Sequence, residues 1–255
     1  SQAGGTPAEQ KIQFLSHFDG SDAATSATDS SSYSRAITFV GNAQLDTAQK
    51  YFGTSALLLD GTGDFVSLAD NDAFTIAAQD FTFDCWARFN ATSGTQQFIA
   101  HSTSSGNQRA LLIFFDSNGL GILLSPNGTN SWGLNKAESW SPSTNTWYHV
   151  AVERTGGNVH FYIDGTQLGS GTSDSTSVHN STSVLQIGAT NAAGADNPFN
   201  GWMDEVRFVI GTGLYGGSNF TVASAAYANP ATANHFTKTG TVTATNDSPT
   251  NGDAE

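Results

Sequence analysis

Six histidines (His17, His101, His149, His160, His179 and His235) are the first place to look for acid–base chemistry, because imidazole titrates near neutral pH. They are scattered along the chain. No serine sits in the Gly-x-Ser-x-Gly turn that presents a nucleophile at a strand end. His149 and His160 fall in segments that read as adjacent strands. Such a pair is more readily a cross-strand contact than a zinc site, and no third ligand accompanies it. The single cysteine, Cys85, excludes an internal disulfide framework and any cysteine-based zinc centre. The glycine-rich stretches do not open helices, so there is no phosphate loop, and the acidic residues nowhere take the EF-hand spacing. Two tryptophans remain. Trp132 and Trp140 lie in the loop-like segment Ser125 to Thr146, where an indole could stack on a sugar ring. Nearby Asn, Asp and backbone groups would meet the hydroxyls. The same two side chains could instead pack beneath that loop or line a contact between subunits.

Strands must position any such group. In Phe81-Thr82-Phe83-Asp84-Cys85-Trp86-Ala87-Arg88-Phe89 the odd positions are apolar and the even ones mostly polar. That period of two belongs to a strand half-buried in a sheet. Cys85 is on the apolar face and is expected to be a buried, inert thiol. Further strands are expected over Trp147 to Arg154, Asn158 to Asp164, Val184 to Gly188 and Trp202 to Ile210. Turn signals appear at Asn118-Gly119, Asn127-Gly128, Gly156-Gly157, Asp164-Gly165 and Gly169-Ser170. Helix signals are confined to Asp46 to Phe52 and Asp70 to Phe74. Short strands with glycine-rich turns and no helical crossovers predict an all-β protein, two antiparallel sheets packed face to face. Trp86, Trp147 and Trp202, inside strands, are expected to fill the sandwich. Arg207 is expected to pair with a carboxylate across the sheet.

The 255 residues carry 22 acidic and 9 basic side chains, a net charge of −13. Nucleic acid is an improbable partner, because phosphate binding wants a basic stripe that nine Lys and Arg do not supply. Charged residues are 12% of the chain, against about 25% in an ordinary domain, while aromatic residues at 11% supply area for a core. No window approaches the ~18 apolar residues of a membrane span. Ser1 to Gln10 lacks the basic and apolar regions of a signal peptide. From Ala231 to Glu255 the chain is Thr, Asn, Asp and Gly with one aromatic, Phe236. The expected organisation is an N-terminal arm over 1–11, a sandwich over 12–230 and a polar tail over 231–255. Arm and tail cannot bury a core and are expected to attach the chain to its neighbours.

Several segments together resemble the laminin-G-like, concanavalin A-like jelly rolls of bacterial secreted proteins and tailed-phage structural proteins. They are Leu15-Ser16-His17-Phe18-Asp19-Gly20, Phe52-Gly53-Thr54-Ser55 running into Leu57-Leu58-Leu59-Asp60-Gly61, Asp80-Phe81-Thr82-Phe83 with Trp86, Trp147-Tyr148-His149-Val150, Tyr162-Ile163-Asp164-Gly165, and Asn200-Gly201-Trp202-Met203-Asp204-Glu205-Val206-Arg207. The resemblance runs from Leu15 to Tyr227 and implies a two-sheet antiparallel jelly-roll sandwich. Enzymatic relatives of that fold, the laminarinase-like glycoside hydrolases, carry Glu-x-Asp-x-Glu on one strand, which places both carboxylates on one face. Of the five glutamates here (Glu9, Glu138, Glu153, Glu205 and Glu255), none begins that pattern, and no enzyme is expected. The family often holds one Ca2+ at the sandwich edge. Carried to this chain, that site implies Asp19, Asp29 and Asp204 as ligands, with turn and capping roles as the alternative. The resemblance implies a structural or adhesive virion protein, a capsid decoration, tail or fibre component. Its partners would be other virion proteins, copies of itself or host surface glycans, without membrane insertion. The alternative is a secreted, extracellular carbohydrate-binding module, and a glycoside hydrolase ranks third.

Overall fold

The structure, a computed structural model, describes residues 11–103, 105–190 and 195–230. In chain order its strands are β1 (Ile12–Ser16), β2 (Thr38–Val40), β3 (Gln44–Asp46), β4 (Ala56–Asp60), β5 (Phe65–Leu68), β6 (Phe81–Phe89), β7 (Gln96–Thr103) and β8 (Gln108–Asp116). They continue with β9 (Gly119–Gly128), β10 (Leu134–Glu138), β11 (Trp147–Thr155), β12 (Asn158–Ile163), β13 (Thr166–Ser173), β14 (Leu185–Ile187) and β15 (Asn200–Ile210). The first sheet runs β13-β12-β11-β6-β15-β4-β3, with β1 also paired to β15; the second runs β10-β9-β8-β7-β14-β5-β2. Every pairing is antiparallel, so the expected two-sheet jelly-roll sandwich forms. Residues 1–10 of the arm expected over 1–11, and the tail over 231–255, lie outside the described residues.

Alternation sets the core. On β6 the odd positions Phe81, Phe83, Cys85, Ala87 and Phe89 face the second sheet and are fully buried. There they meet Phe98, Ile113, Ile122 and Ile187 from the opposite sheet, one continuous apolar layer. Each large side chain removed from water contributes ~1.5–3 kcal/mol. Cys85 is buried as expected, and burial pushes its thiol pKa well up, which leaves it unreactive. The turns follow their chemistry too. Asp164 and Gly165 both have positive φ (51° and 76°), as do Gly156 and Gly157, which matches the right-handed twist of the strands they join.

Four expectations need correction. Gly169-Ser170 is not a turn: it lies within β13, where Gly169 (φ 59°) accommodates a bulge against β12. The segment Ser125 to Thr146 is not all loop, since β9 ends and β10 runs inside it. Asp46 to Phe52 forms no helix. The N–H groups of Tyr51 and Phe52 donate instead to Asp204 Oδ2 at 2.8 and 3.0 Å, and the Tyr51 ring stacks on Trp86 at 3.4 Å, so tertiary contacts override local propensity. The tryptophans do not fill the sandwich either. Trp86 and Trp202 are out of phase with the inward residues of their strands, and Trp86, Trp147 and Trp202 all stand on the outer face of the first sheet. Asp72–Phe74 does form a single 3-10 turn, capped by Asn71.

That outer face is covered by residues 211–230, a strap continuing from β15. Leu214 N donates to Thr82 Oγ1 at 3.0 Å, and Tyr215 N and Gly217 N each donate to Glu153 at 2.8 Å. Arg207 pairs across the sheet with Asp84, Nε to Oδ1 at 3.1 Å and Nη2 to Oδ2 at 2.6 Å, and the Tyr215 hydroxyl donates to the same carboxylate. Further along, Tyr227 N donates to Glu205 Oε2 at 2.7 Å, and its ring lies 3.9 Å beneath the Arg207 guanidinium. Thr82 and Asp84 on the even face of β6, which alternation alone would leave to water, are therefore buried under polar partners.

His17 ties this strap to the first strand. Its Nδ1 donates to Glu205 at 2.8 Å and its Nε2 to Asn229 Oδ1 at 2.7 Å. The hydrogen bond to Glu205, opposed by burial, raises the imidazole pKa from 6.5 to about 9. The folded chain thus keeps a proton that the unfolded chain gives up. Its stabilisation is complete below pH 6.5 and lost as pH rises through about 9. His101 and His149, whose pKa values burial lowers, oppose the fall only near pH 6.5, where the unfolded imidazoles still bind protons, and Asp204, raised to about 7, adds to it there; toward pH 9 the slope is that of His17. The melting temperature is expected to fall between pH 6.5 and 9, and His17→Gln to flatten the fall. Equal slopes in both proteins would remove His17 from the account.

Candidate functional site

Three connections meet at one end of the sandwich: residues 90–95 between β6 and β7, the β8–β9 turn, and the chain leaving β10. Thr92, Phe115, Asp116, Ser117, Trp140, Ser141 and Pro142 line a cavity of about 220 Å³ there. A second, of about 340 Å³, shares Thr92, Asp116 and Ser117 and adds Ser93, Gly94 and Thr95. The larger is within the ~300–1,000 Å³ typical of small-molecule pockets.

Each wall has a visible cause. The buried Gln96 side chain donates to Ala91 O at 2.7 Å and accepts from Asn200 N at 2.9 Å, which fixes the 90–95 connection to β15. Asp116 Oδ1 accepts from Asn118 N at 2.7 Å, an Asx turn that shapes the β8–β9 corner. Gly119 (φ 112°) lets that corner approach the next wall, because a Cβ there would sit 2.5 Å from Trp140 N. The Trp140 ring is partly buried, and its neighbours Phe89, Phe115 and Tyr148 meet it edge to face at 5.4–5.7 Å. Three ring contacts hold one indole at the mouth of a cleft whose polar lining is Thr and Ser hydroxyls and one carboxylate. Such a site offers an apolar face for sugar C–H groups and acceptors for hydroxyls. Asp116 is the one carboxylate among its lining residues, whereas glycosidic hydrolysis in this fold uses two.

A family model described as the concanavalin A-like lectin/glucanases superfamily matches residues 60–210, more than half of the chain. The chain belongs to that superfamily. Three solved structures illustrate the likeness. Domain 4 of AbnA, an extracellular arabinanase from Geobacillus stearothermophilus solved with arabinotriose, is 20% identical with a TM-score of 0.57, over 79% of this chain and 93% of that one. The binding domain of botulinum neurotoxin DC, solved with rat synaptotagmin II, is 18% identical with a TM-score of 0.58. The same binding domain solved with SialylT is 18% identical with a TM-score of 0.56. In both neurotoxin comparisons the match covers 79% of this chain and 48% of the neurotoxin chain, so this chain spans about half of those binding domains. At these identities the likeness is one of fold. No curated protein sequence matches the chain.

The superfamily match includes the Trp140 cleft but stops short of β1, the chain up to β4 and the strap. Trp132 precedes β10 and Trp140 follows it, so the two indoles stand at opposite ends of one strand and do not share a site. Nor does the structure gather the three aspartates that the concanavalin A-like resemblance implied for Ca2+. Asp29 is buried and accepts from Leu15 N, Ser31 N, Ser31 Oγ and Arg35 N at 2.9–3.3 Å. Asp204 accepts from three backbone N–H groups, and burial raises its pKa to about 7. Asp19 Oδ1 accepts the amide and hydroxyl of Thr54. Hydrogens aimed at these oxygens repel a cation, and among the described residues no three metal-ligating side chains form a group. The three do not fit calcium. Thermal melts with chelator and with millimolar calcium are expected to coincide; a shift of several degrees would restore a site.

Sequence reasoning found Trp140 because it lies outside the strand motifs. Thr92, Asp116 and Ser117 carried no signal beyond the turn at Asn118-Gly119, since they meet only through sheet pairing.

Proposed function

We propose that this chain is a non-catalytic, glycan-binding adhesive module whose ligand lies in the cleft at Trp140. The observation that supports this best is an indole held by three ring contacts beside Asp116, Ser117 and Thr92. The arabinanase domain solved with arabinotriose makes short arabino-oligosaccharides the first ligands to try. Trp140→Ala is expected to weaken binding about tenfold or more, the usual effect of removing an aromatic anchor. Asp116→Asn is expected to weaken it less. Calorimetry with both variants tests this, and unchanged affinity in Trp140→Ala would overturn the site. Incubation with the same glycans is expected to release no reducing ends above a blank.

The virion setting is part of the proposal: the module would be the adhesive surface of a capsid, tail or fibre that meets host glycans. Finding the chain in purified particles at a fixed stoichiometry supports that setting. Recovery from culture medium as a free protein supports the secreted lectin-like module instead. Among the described residues no helix is long and apolar enough to cross a membrane.

A further inference from the structure

The outer face of the first sheet carries a second aromatic surface; Trp147 follows Trp140 by seven residues, but Trp140 packs against the inward-facing Phe89 and Phe115. Strand pairing places Trp147 of β11 opposite Arg88 of β6, and Arg88 opposite Trp202 of β15. A cation therefore stands between two indoles on three adjacent strands, ~4.8 Å apart. All three side chains are partly exposed: in the neighbouring row the strap covers His149, and Tyr51 and Phe52 cover Trp86 and Asp204. Tyr51, 38% exposed, stacks on Trp86 and reaches within 6.0 Å of the Trp147 ring, forming a wall beside the stripe. Asp46 fixes the floor by accepting from Trp202 Nε1 at 2.8 Å.

Among the described residues Arg88 and Arg109 are the arginines whose side chains make no hydrogen bond or ion pair, and of these two Arg88 lies over a ring. Arg154 and Arg207 are committed to Asp174 and Asp84. Arg88 has no hydrogen-bond or ion-pair partner among the described residues; its guanidinium lies 4.7 Å over the Trp202 ring. That contact orients the planar fork and leaves its N–H donors free. The Trp147 indole, beside a guanidinium already seated over the Trp202 ring, matches a ligand with both an apolar ring face and a carboxylate. A free cation on a chain of net charge −13 also selects where an anion can dock. We propose that Trp147, Arg88 and Trp202 form a second binding site, for a glycan residue bearing a carboxylate, a uronic or sialic acid, with the sugar face on indole and the carboxylate on Arg88.

The test uses the whole chain with oligogalacturonate and oligosialic acid, their carboxyl-reduced counterparts, and poly-glutamate as an acidic polymer without sugar. Expected is binding of at least one acidic glycan, weakened at least tenfold by Arg88→Gln, by raised salt and by carboxyl reduction. Arg88→Lys is expected to recover part of the affinity, and Trp140→Ala to leave it unchanged, which separates this site from the cleft. Trp202→Phe keeps a ring face if Trp202→Ala does not fold. Failure of both acidic glycans to bind, equal affinity in Arg88→Gln, or equal binding of poly-glutamate would overturn the proposal.

Discussion

Asp84→Ala is expected to destabilise the protein by about 3–5 kcal/mol, the usual effect of stranding one partner of a buried ion pair. Asp84 is fully buried and accepts two bonds from Arg207 and one from the Tyr215 hydroxyl. Its loss leaves a guanidinium and a phenol beneath the strap without their acceptor. At ~2–4 °C per kcal/mol for a domain of this size, the melting temperature should drop by about 6–20 °C. The strap should also loosen, because Tyr215 is one of its anchors. Limited proteolysis between Gly211 and Pro230 is therefore expected to become faster in the variant. Asp84→Ala combined with Arg207→Met removes the stranded charge and should recover part of the loss. The recovered part is the coupling between the two residues. A single variant within 1 kcal/mol of the parent would show that the pair is weaker than its geometry implies.

The same residues show how far the fold was legible. β6, β11 and β12 were readable because their inward residues recur at a spacing of two, as they do on β15 from Val206 to Ile210 beyond the bulge at Asp204-Glu205, and the glycine-rich turns beside them confirmed their ends. β8 was not readable, because Leu111-Leu112-Ile113-Phe114-Phe115 is apolar without alternation. On that strand Ile113 and Phe115 join the core, while Leu112 and Phe114 occupy the outer face, so both faces carry apolar groups. The polar face of β6 misled in the opposite direction. Thr82 and Asp84 look like solvent positions until the strap, more than a hundred residues later, supplies their partners. The aspartates failed for a related reason. Asp29 followed by Ser31 is a local turn signature, and that short-range chemistry used the oxygens a metal would have needed. Trp140 stood out as an aromatic outside the strand pattern. The rest of its cleft comes from three separate connections, and only the sheet register brings them together.

Gly119→Ala tests whether that register positions the cleft. Gly119 and Gly94 both border the site and both have positive φ, 112° and 74°, a region that strains an L side chain. They differ in space. A Cβ at Gly94 meets nothing within 4 Å, whereas at Gly119 it would collide with the Glu138 carbonyl and lie 2.5 Å from Trp140 N. Those obstacles are backbone and cannot swing aside, so the 138–140 segment itself must move. Gly94→Ala is expected to lose only the conformational part, ~1–2 kcal/mol, and to keep its glycan affinity. Gly119→Ala should lose about 2–5 kcal/mol once overpacking is added, and should weaken glycan binding even at temperatures where it remains folded. Chemical denaturation gives the first quantity and calorimetry with arabino-oligosaccharide the second. Two alanine variants with equal stability would mean the β8–β9 corner can back away from Trp140. Full affinity in a destabilised Gly119→Ala would mean that the indole does not depend on that corner for its place.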